Sequence, residues 1–295
     1  MKSFMKKTIL AAGLAAILLI TSCSGAEKAE KTESSGKKDP LATTLDMGGV
    51  RMAETVHVGV LESPVPIVDE TIADAGEDTT GAERTAETFS SLTELQLSLM
   101  RGDVDSVKIA DCTARYMAAR NYEFAAATLN TETPFNVGFA MMLNNTDADL
   151  RDRISKAISD IKADGTMKAL EEKYINGFIE GKEPEPVEYE HFDGAETVSF
   201  AFTGDLPPMD YISADGIPAG FNTALISEIG KRLHINIKSV NIDSGSRTIA
   251  LMTGRAQVVF WTPVLDNVTE AMYPDGMTIT EIYHTEILSE VKRRS

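Results

Sequence analysis

Residues 92–109 read LTELQLSLMRGDVDSVKI, and residues 244–261 read SGSRTIALMTGRAQVVFW. In both stretches an apolar-periodic segment containing Leu-Met is followed by a glycine, Gly102 or Gly254, and then at once by an apolar run. A glycine just after a helix supplies the left-handed residue of the C-terminal cap, and a strand that follows so closely is typical of layered α/β domains. Two such units predict an α/β protein with two lobes of similar build.

The length and composition agree with two ordinary lobes. The chain has 295 residues, of which 43% are hydrophobic and 25% charged, as in globular proteins. Its net charge is −17, and it becomes −20 when the three lysines of the first 23 residues are removed. Nucleic acid is therefore excluded as an expected partner, because binding a phosphate backbone requires a basic face.

The first 23 residues predict a secretory signal that is too short to span a membrane as a helix. Three lysines precede the apolar run Ile9–Ile20, and Ile-Thr-Ser-Cys closes the segment at Cys23. This ending resembles the lipobox of bacterial lipoproteins, in which Cys23 becomes the lipidated first residue. An ordinary signal peptide with an incidental cysteine is the alternative. We expect an extracytoplasmic protein anchored to the cell membrane through Cys23, with residues 24–53 as a flexible tether.

Hydrophobic periodicity and capping residues predict the elements that follow. The predicted strands are 56–61, 137–143, 198–203 and 235–240, and the predicted helices are 113–120, 148–163 with Asp147 as N-cap, and 222–233 with Asn222 as N-cap. Residues 69–84 predict an irregular acidic loop, and residues 176–196, rich in Gly, Pro and acid, predict a linker. Cys112 is interpreted as a small residue at a strand end.

Residues 200–211 read FAFTGDLPPMDY and are followed by Gly220-Phe221-Asn222. This run resembles the opening of the family 3 solute-binding proteins, two-lobed receptors that deliver amino acids and other polar solutes to ABC importers. Ser91–Ala114 is similar to the helix, glycine, strand and Asp of the family's second lobe, and Asp149–Tyr174 is similar to its closing helices. The resemblance covers most of residues 55–291. It implies a type II periplasmic-binding-protein fold with a ligand cleft between the lobes.

The order of these segments departs from the family and resembles a circular permutation. Residues 54–134 resemble the second lobe, 135–178 the closing strand and helices of the other lobe, and 197–295 the first lobe, with 179–196 as the linker. Such an order is physically acceptable, because the linker can join the family's termini while the new ends open a surface loop. A truncated tandem gene whose halves belong to different modules is the alternative.

The resemblance also implies several ligand-binding residues. Asp111 stands where the family's carboxylate receives an amino group, although an N-cap role for the helix after it is equally compatible. Met209 stands where the family usually has an aromatic side chain on the ligand, with Asp205 and Tyr211 nearby. A simple core or loop contact is equally compatible with Met209.

Trp261, with Thr262 behind it, ends the second repeated strand and is a candidate platform for a ligand, with core packing as the alternative. Two family features are missing. The run after Trp261 lacks the arginine that usually clamps an α-carboxylate, and Ser63-Pro64-Val65 stands where Gly-Thr-Thr is expected. A bidentate guanidinium is not easily replaced, so a cationic or less charged solute also fits.

Three classes of function follow from these patterns. The sequence predicts a receptor that captures a small, amino-acid-like solute and passes it to an ABC permease in the membrane. An enzyme is not expected, because the four histidines show no HExxH spacing and GxSxG and nucleotide-binding loops are missing. No cofactor or metal is expected either. The alternative to the receptor is a degenerate ligand sensor or surface interaction protein without a transport role.

Overall fold

The structure, a computed structural model, describes residues 55–75, 82–129, 135–266 and 269–294. The predictions for the signal, for Cys23 and for the tether therefore lie outside the described residues. Arg51–Ser295 forms one compact unit. Within the described residues, each helix is too short or too polar to cross a membrane.

Strands and helices alternate along the chain. The strands are β1 (Thr55–Leu61), β2 (Glu83–Phe89), β3 (Ser106–Ala110), β4 (Phe124–Thr128), β5 (Asn136–Asn144), β6 (Thr197–Phe202), β7 (Asp205–Leu206), β8 (Asp210–Ile212), β9 (Pro218–Ala219), β10 (Asn236–Asn241), β11 (Val258–Val264), β12 (Met277–Ile279) and β13 (His284–Arg293). The helices are α1 (Pro66–Asp74), α2 (Leu92–Arg101), α3 (Asp111–Arg120), α4 (Ala148–Ala163), α5 (Thr166–Glu171), α6 (Gly177–Ile179), α7 (Phe221–Leu233) and α8 (Arg247–Met252). A π-helical turn, Glu172–Asn176, joins α5 to α6.

Ten of these strands are connected: β10-β6-β11-β5-β13-β3-β1-β2 form one path, and β12 and β4 branch from β5 and β13. Strands β7, β8 and β9 form a separate small sheet of three strands. The path divides within β13. Residues 284–287 pair antiparallel with β5, whereas residues 288–291 pair with β3 and residues 289–293 with β4. We call β1 to β4 with the outer half of β13 the first sheet, and β5, β6, β10, β11 and β12 with its inner half the second sheet.

Helices pack on both sheets and complete the α/β architecture. Helices α1, α2 and α3 contact strands of the first sheet, and α4, α7 and α8 contact strands of the second. The predicted α/β class with two lobes is confirmed by this division. The permuted order and the domain boundaries stay predictions, and the structure adds that the last strand belongs to both sheets.

The two repeated stretches adopt matching local structures. Ser91 caps α2, its hydroxyl accepting a hydrogen bond from the Glu94 amide, and the helix ends at Gly102 in the left-handed conformation (φ 81°). Helix α8 ends likewise before Gly254 (φ 67°). The repeated leucines, Leu99 and Leu251, are buried, and the methionines that follow them are exposed. The two helices thus present equivalent faces to their sheets.

Several predicted elements are confirmed, and one capping assignment is wrong. Helix α4 spans the predicted residues and buries Leu150, Ile154, Ile158 and Ile161 at helical spacing. Asp147 occupies its predicted N-cap position, although its side chain makes no capping hydrogen bond. Asn222 is the second residue of α7 and not its cap, because Gly220 occupies the N-cap position.

The predicted acidic loop 69–84 is also wrong for its described part. Residues 66–74 form α1, which starts with a proline at its first turn, and residue 83 begins β2. Cys112 lies in the first turn of α3 and not at the end of a strand. It is a free, buried cysteine.

Gly220 offers a test of the contact between the amino end of α7 and residues 208–209. Its φ is 103°, and a Cβ there would lie 2.6 Å from the Met209 carbonyl oxygen. We expect Gly220→Ala to lower the free energy of unfolding by about 2–4 kcal/mol through strain and overlap. Gly216→Ala is the control, because its φ of 77° gives strain without a neighbour within 4 Å. Urea denaturation should show a loss of about 1–2 kcal/mol for the control, and equal losses would contradict the contact.

Candidate functional site

A small cavity lies between the two sheets where several strands end. Its lining includes residues 60–63, Asp69, residues 108–110, Phe139, Arg247, Trp261, Pro263 and Leu288. The carboxyl ends of β1, β3 and β11 meet there, as in α/β sheets that bind ligands beyond their strand ends. Its volume is about 40 Å³, which is room for a few water molecules. Trp261 of β11 and Arg247 of α8 come from the side of the second sheet. Ser63, after β1, and Asp69 of α1 come from the side of the first sheet.

Asp69 brings a buried carboxylate to the cavity from the first turn of α1. One oxygen, Oδ2, accepts a hydrogen bond of 3.0 Å from the Ser63 amide, while Oδ1 is buried without a partner in the described structure. Burial raises the pKa of Asp69 to about 6, against the hydrogen bonds from Ser63, which lower it. At neutral pH the group is therefore a carboxylate with free hydrogen-bonding capacity.

Arg247 enters the cavity from the start of α8 and is 3% exposed. Its Nη1 donates to the carbonyl oxygen of Glu62 at 3.1 Å, which joins the two sheets, and to that of Ser244 at 3.4 Å. Its Nη2 is buried without a partner in the described structure. Burial lowers the pKa of Arg247, opposed by nearby carboxylates, first Asp210. A guanidinium stays protonated in proteins, so a cationic donor faces the cavity.

A neighbouring lysine is already engaged. Lys108 of β3 is buried, and its ammonium donates to the carbonyl oxygens of Ala73 and Ala75 at the end of α1. A cation at a helix C-terminus is electrostatically favourable. Burial lowers the pKa of Lys108 to about 8. Lys108 therefore holds α1 in place, and Asp69 with it.

Trp261 is positioned by an irregularity in β11. The pairing of β11 with β5 shifts register between Val259 and Thr262. Within this shift Trp261 has a φ of 60°, which is unusual for a residue with a side chain. Its ring stacks on Phe139 with centroids 3.6 Å apart, and its amide donates to the Tyr283 hydroxyl at 3.3 Å. Backbone strain of this kind concentrates at functional sites, where it aims a side chain.

Of the seven ligand-binding residues predicted from the sequence, Ser63 and Trp261 line this cavity. Thr262 is fully buried next to it, with an Oγ1 that has no partner in the described structure. Met209 is fully buried in the core. Asp111 has both oxygens engaged, one by the Ser289 hydroxyl and one by Arg115 Nε, each at 2.7 Å.

Asp205 and Tyr211 line a separate groove of about 500 Å³ beside α2 and α3. The Asp205 carboxylate accepts a hydrogen bond of 2.9 Å from the Leu92 amide at the start of α2. A residue that follows β6 of the second sheet therefore contacts a helix that packs on the first sheet. Burial raises the pKa of Asp205, against hydrogen bonds that lower it. Tyr211 stacks on Phe178 with centroids 4.8 Å apart, and burial raises its pKa to about 12. Asp205 therefore connects β7 to α2, and Tyr211 packs on α6.

Sequence reasoning missed Asp69 and Arg247. In the repeated stretches Arg247 aligns with Leu95, which is fully buried in the core. The available signal was an arginine at a position where the other repeat has a buried leucine. A charged side chain persists at a buried position where it is paired or functional. Asp69 carried no comparable signal, since it starts an acidic run that resembled a solvated loop.

Comparisons with known proteins find a family similarity in the second part of the chain. Residues 198–263 match the family model of the bacterial extracellular solute-binding proteins, family 3. The resemblance stated from the sequence is confirmed over these residues, which include β6, α7, Arg247 and Trp261.

Relatives and solved structures give further likenesses. The histidine-binding periplasmic protein of Escherichia coli (strain K12) is 30% identical over 77 residues, which are 26% of this chain and 30% of that protein. Its Salmonella typhimurium (strain LT2) counterpart matches over the same extent. The chain thus spans less than a third of these relatives' length.

Among solved structures, a ligand-binding component of an ABC-type import system from Staphylococcus aureus aligns with a TM-score of 0.42 at 11% identity, over 81% of this chain and 66% of that one. The methionine-binding protein MetQ aligns with a TM-score of 0.39 at 12% identity, over 81% and 83%.

The buried Asp69 carboxyl predicts a specific pH dependence of stability. Its pKa is about 6 in the folded chain and 3.8 for a solvated aspartate side chain, so between these values the folded state binds more protons than the unfolded state. Ionisation of Asp69 therefore lowers the free energy of unfolding as pH rises from about 4 to about 6, by up to about 3 kcal/mol. Asp69→Asn removes this contribution, so the variant should gain stability relative to the wild type over that range.

Chemical denaturation at a series of pH values measures the difference between the two proteins. Glu70→Gln is the matched control, because Glu70 is the exposed neighbour of Asp69 on the same helix. A difference between wild type and Asp69→Asn that stays constant from pH 4 to pH 7 would contradict the raised pKa.

Proposed function

We propose that this chain is the substrate-binding protein of an ABC importer, lipid-anchored outside the cytoplasm through Cys23, and that it captures an amino acid or a related solute between its two sheets. The main support is a pair of charged side chains in the cavity whose atoms Arg247 Nη2 and Asp69 Oδ1 are buried without hydrogen-bond partners in the described structure. A small-molecule site of this kind is concave, mostly apolar and fitted with a few convergent polar groups. The match of residues 198–263 to a solute-binding family supports the same function.

The chemistry of the pair favours a ligand with both an acidic and a basic group. A guanidinium donates well to a carboxylate, and a carboxylate accepts well from an ammonium. In this proposal Arg247 takes the role of the arginine that the run after Trp261 lacks, and Asp69 receives the amino group. Trp261 and Phe139 provide the apolar wall, and Ser63 holds Asp69 in place.

Capture requires the two sheets to separate and close, because the cavity of about 40 Å³ is too small for an amino acid to enter as it stands. Among the described residues, the polar contacts that link the two sides include the Arg247 bond to Glu62 at the cavity and the Asp205 bond to Leu92 at the separate groove. A 3.0 Å bond from the Ser244 amide to the Ser90 carbonyl oxygen is a further link. The permuted order of the chain belongs to this proposal, with β13 and β5 as the strands about which the sheets move.

Ligand binding tests the proposal on the full-length chain in mild detergent. A thermal-shift screen against amino acids, polyamines, sugars and small acids should give a rise in melting temperature with amino acids, since a ligand of the folded state stabilises it by mass action. Calorimetry then compares each active amino acid with its amide and its N-acetyl derivative. We expect both derivatives to bind at least about tenfold more weakly, because each loses a charge-assisted hydrogen bond.

Variants connect this loss to the two side chains. Arg247→Gln should lower the affinity for the amino acid at least about tenfold, and this variant should no longer prefer the amino acid over its amide. Asp69→Asn should no longer prefer the amino acid over its N-acetyl derivative. Arg255→Gln is the matched control, because Arg255 is exposed and donates to the Asn241 carbonyl oxygen at the end of β10. A folded protein that binds none of the solutes would overturn the receptor and favour the sensor or interaction protein.

The lipid anchor has its own test. The chain holds two cysteines, Cys23 and Cys112. When the protein is expressed in a bacterium supplied with a labelled fatty acid, Cys23→Ser should abolish incorporation of label and release the protein from the membrane fraction. Cys112→Ser should keep both properties. Label that survives in Cys23→Ser would refute the anchor.

A further inference from the structure

A group of metal-ligating side chains lies away from the cavity, where α3 and α5 meet β13. It consists of Cys112, His284 and Glu286, whose ligand atoms all lie within 4.8 Å of one another. His284 and Glu286 alternate with Thr285 on β13, so both side chains lie on the same side of the strand. Cys112 reaches them from the first turn of α3. Three side chains from two distant parts of the sequence therefore converge through the tertiary fold.

A fourth residue orients the histidine. Glu171 of α5 lies with Oε1 2.8 Å from His284 Nδ1, and Glu286 Oε1 lies 2.9 Å from His284 Nε2. A metal-binding histidine almost always donates its second ring N–H to a carboxylate or carbonyl group, which fixes the ring and strengthens the ligand. Glu171 occupies that outer position here, and Nε2 is directed toward Glu286 and Cys112.

The ligand set fits a particular class of metal. One thiolate, one imidazole and one carboxylate are donors that Zn²⁺ accepts, at bond lengths of about 2.3, 2.0 and 2.1 Å. In a tetrahedral site such bonds place ligand atoms about 3.3–3.8 Å apart. The contact between Nε2 and Oε1 would have to widen by about 0.4 Å. The Cys112 sulfur lies within 4.8 Å of both other ligand atoms, and a shift of at most about 1 Å brings it to the tetrahedral spacing. Ca²⁺ and Mg²⁺ are disfavoured because they prefer oxygen ligands alone.

We propose that Cys112, His284 and Glu286 bind a divalent metal ion of the zinc class, with Glu171 as the positioning residue behind His284. A water molecule supplies the fourth ligand from the adjoining groove of about 320 Å³, which His284 and Glu171 line. Glu171 and Glu286 lie 2.8 Å and 2.9 Å from the two ring nitrogens, and each carboxylate can accept a hydrogen bond from an imidazole N–H. Metal binding then releases one proton from Nε2 and one from the Cys112 sulfur, and the ion's two positive charges replace theirs.

The surroundings suit a structural ion. Cys112 is fully buried, His284 is 7% exposed, and the ring of Phe221 lies 5.3 Å from the imidazole. In such a low-dielectric site the attraction between an ion and its ligands is strong. The three ligands lie on α3, which packs on the first sheet, and on the part of β13 that pairs with the second. A bound ion would therefore tie the two sheets together beside their shared strand.

The test uses cobalt and zinc on the full-length chain carrying Cys23→Ser, which leaves Cys112 as the one thiol. Titration with Co²⁺ should saturate at one equivalent and give the near-ultraviolet absorption of a thiolate–cobalt bond. Cys112→Ser should remove that absorption, and Glu286→Gln and Glu171→Gln should each weaken the affinity for Zn²⁺, the latter by about 10- to 100-fold. His191→Gln is the control and should change nothing, because His191 is exposed and pairs with the nearby Asp193.

X-ray absorption on the zinc-loaded parent gives a measurement that needs no variant, with one sulfur expected at about 2.3 Å from the metal. A parent protein without the thiolate band, a zinc shell of oxygen and nitrogen only, or equal weakening by His191→Gln would overturn the proposal. The outcome is separate from solute capture, since Arg247→Gln should bind cobalt as the parent does.

Discussion

The pairing of β13 with both sheets is the constraint on which the rest of the fold depends. The inner half of this strand pairs with β5 and the outer half with β3 and β4. Strand β4 joins the described sheet through β13, so residues near the end of the chain complete a sheet that begins at Thr55. Because one hydrogen-bonded strand crosses from one sheet to the other, the ends of β1 and β11 are brought to face each other across the cavity.

This arrangement explains why unsatisfied charges accumulate between the sheets. Leaving a buried polar group without a hydrogen-bond partner costs about 1–3 kcal/mol of stability. The cost is higher when the buried group is charged. Asp69 Oδ1 and Arg247 Nη2 both carry such a cost, and each belongs to a side chain that is otherwise firmly held, by Ser63 and by the Glu62 carbonyl oxygen. Groups positioned this firmly yet left incomplete are suited to a ligand that supplies the complementary charges.

Asp205 and Tyr211, which the sequence analysis associates with a ligand, take part in contacts within the protein. The sequence associates Asp205 and Tyr211 with the site through the loop after β6, and in the structure they contact α2 and the stack of Phe178 on Tyr116. A loop at a strand's carboxyl end can face either the ligand or the opposite lobe, and local sequence does not distinguish these cases. The distinction depends on a partner, Leu92, that is 113 residues away.

What the sequence by itself determined is local and periodic. The two repeated stretches, the apolar face of α4 and the capping glycines follow from side-chain spacing and backbone preference, which act within a few residues of each other. The tertiary structure alone decided which distant parts of the chain come together: Arg247 and Asp69 line one cavity, His284 lies near Cys112, and β13 pairs with both sheets. Such contacts join residues far apart in the chain, and their energies depend on burial, which a linear pattern does not encode.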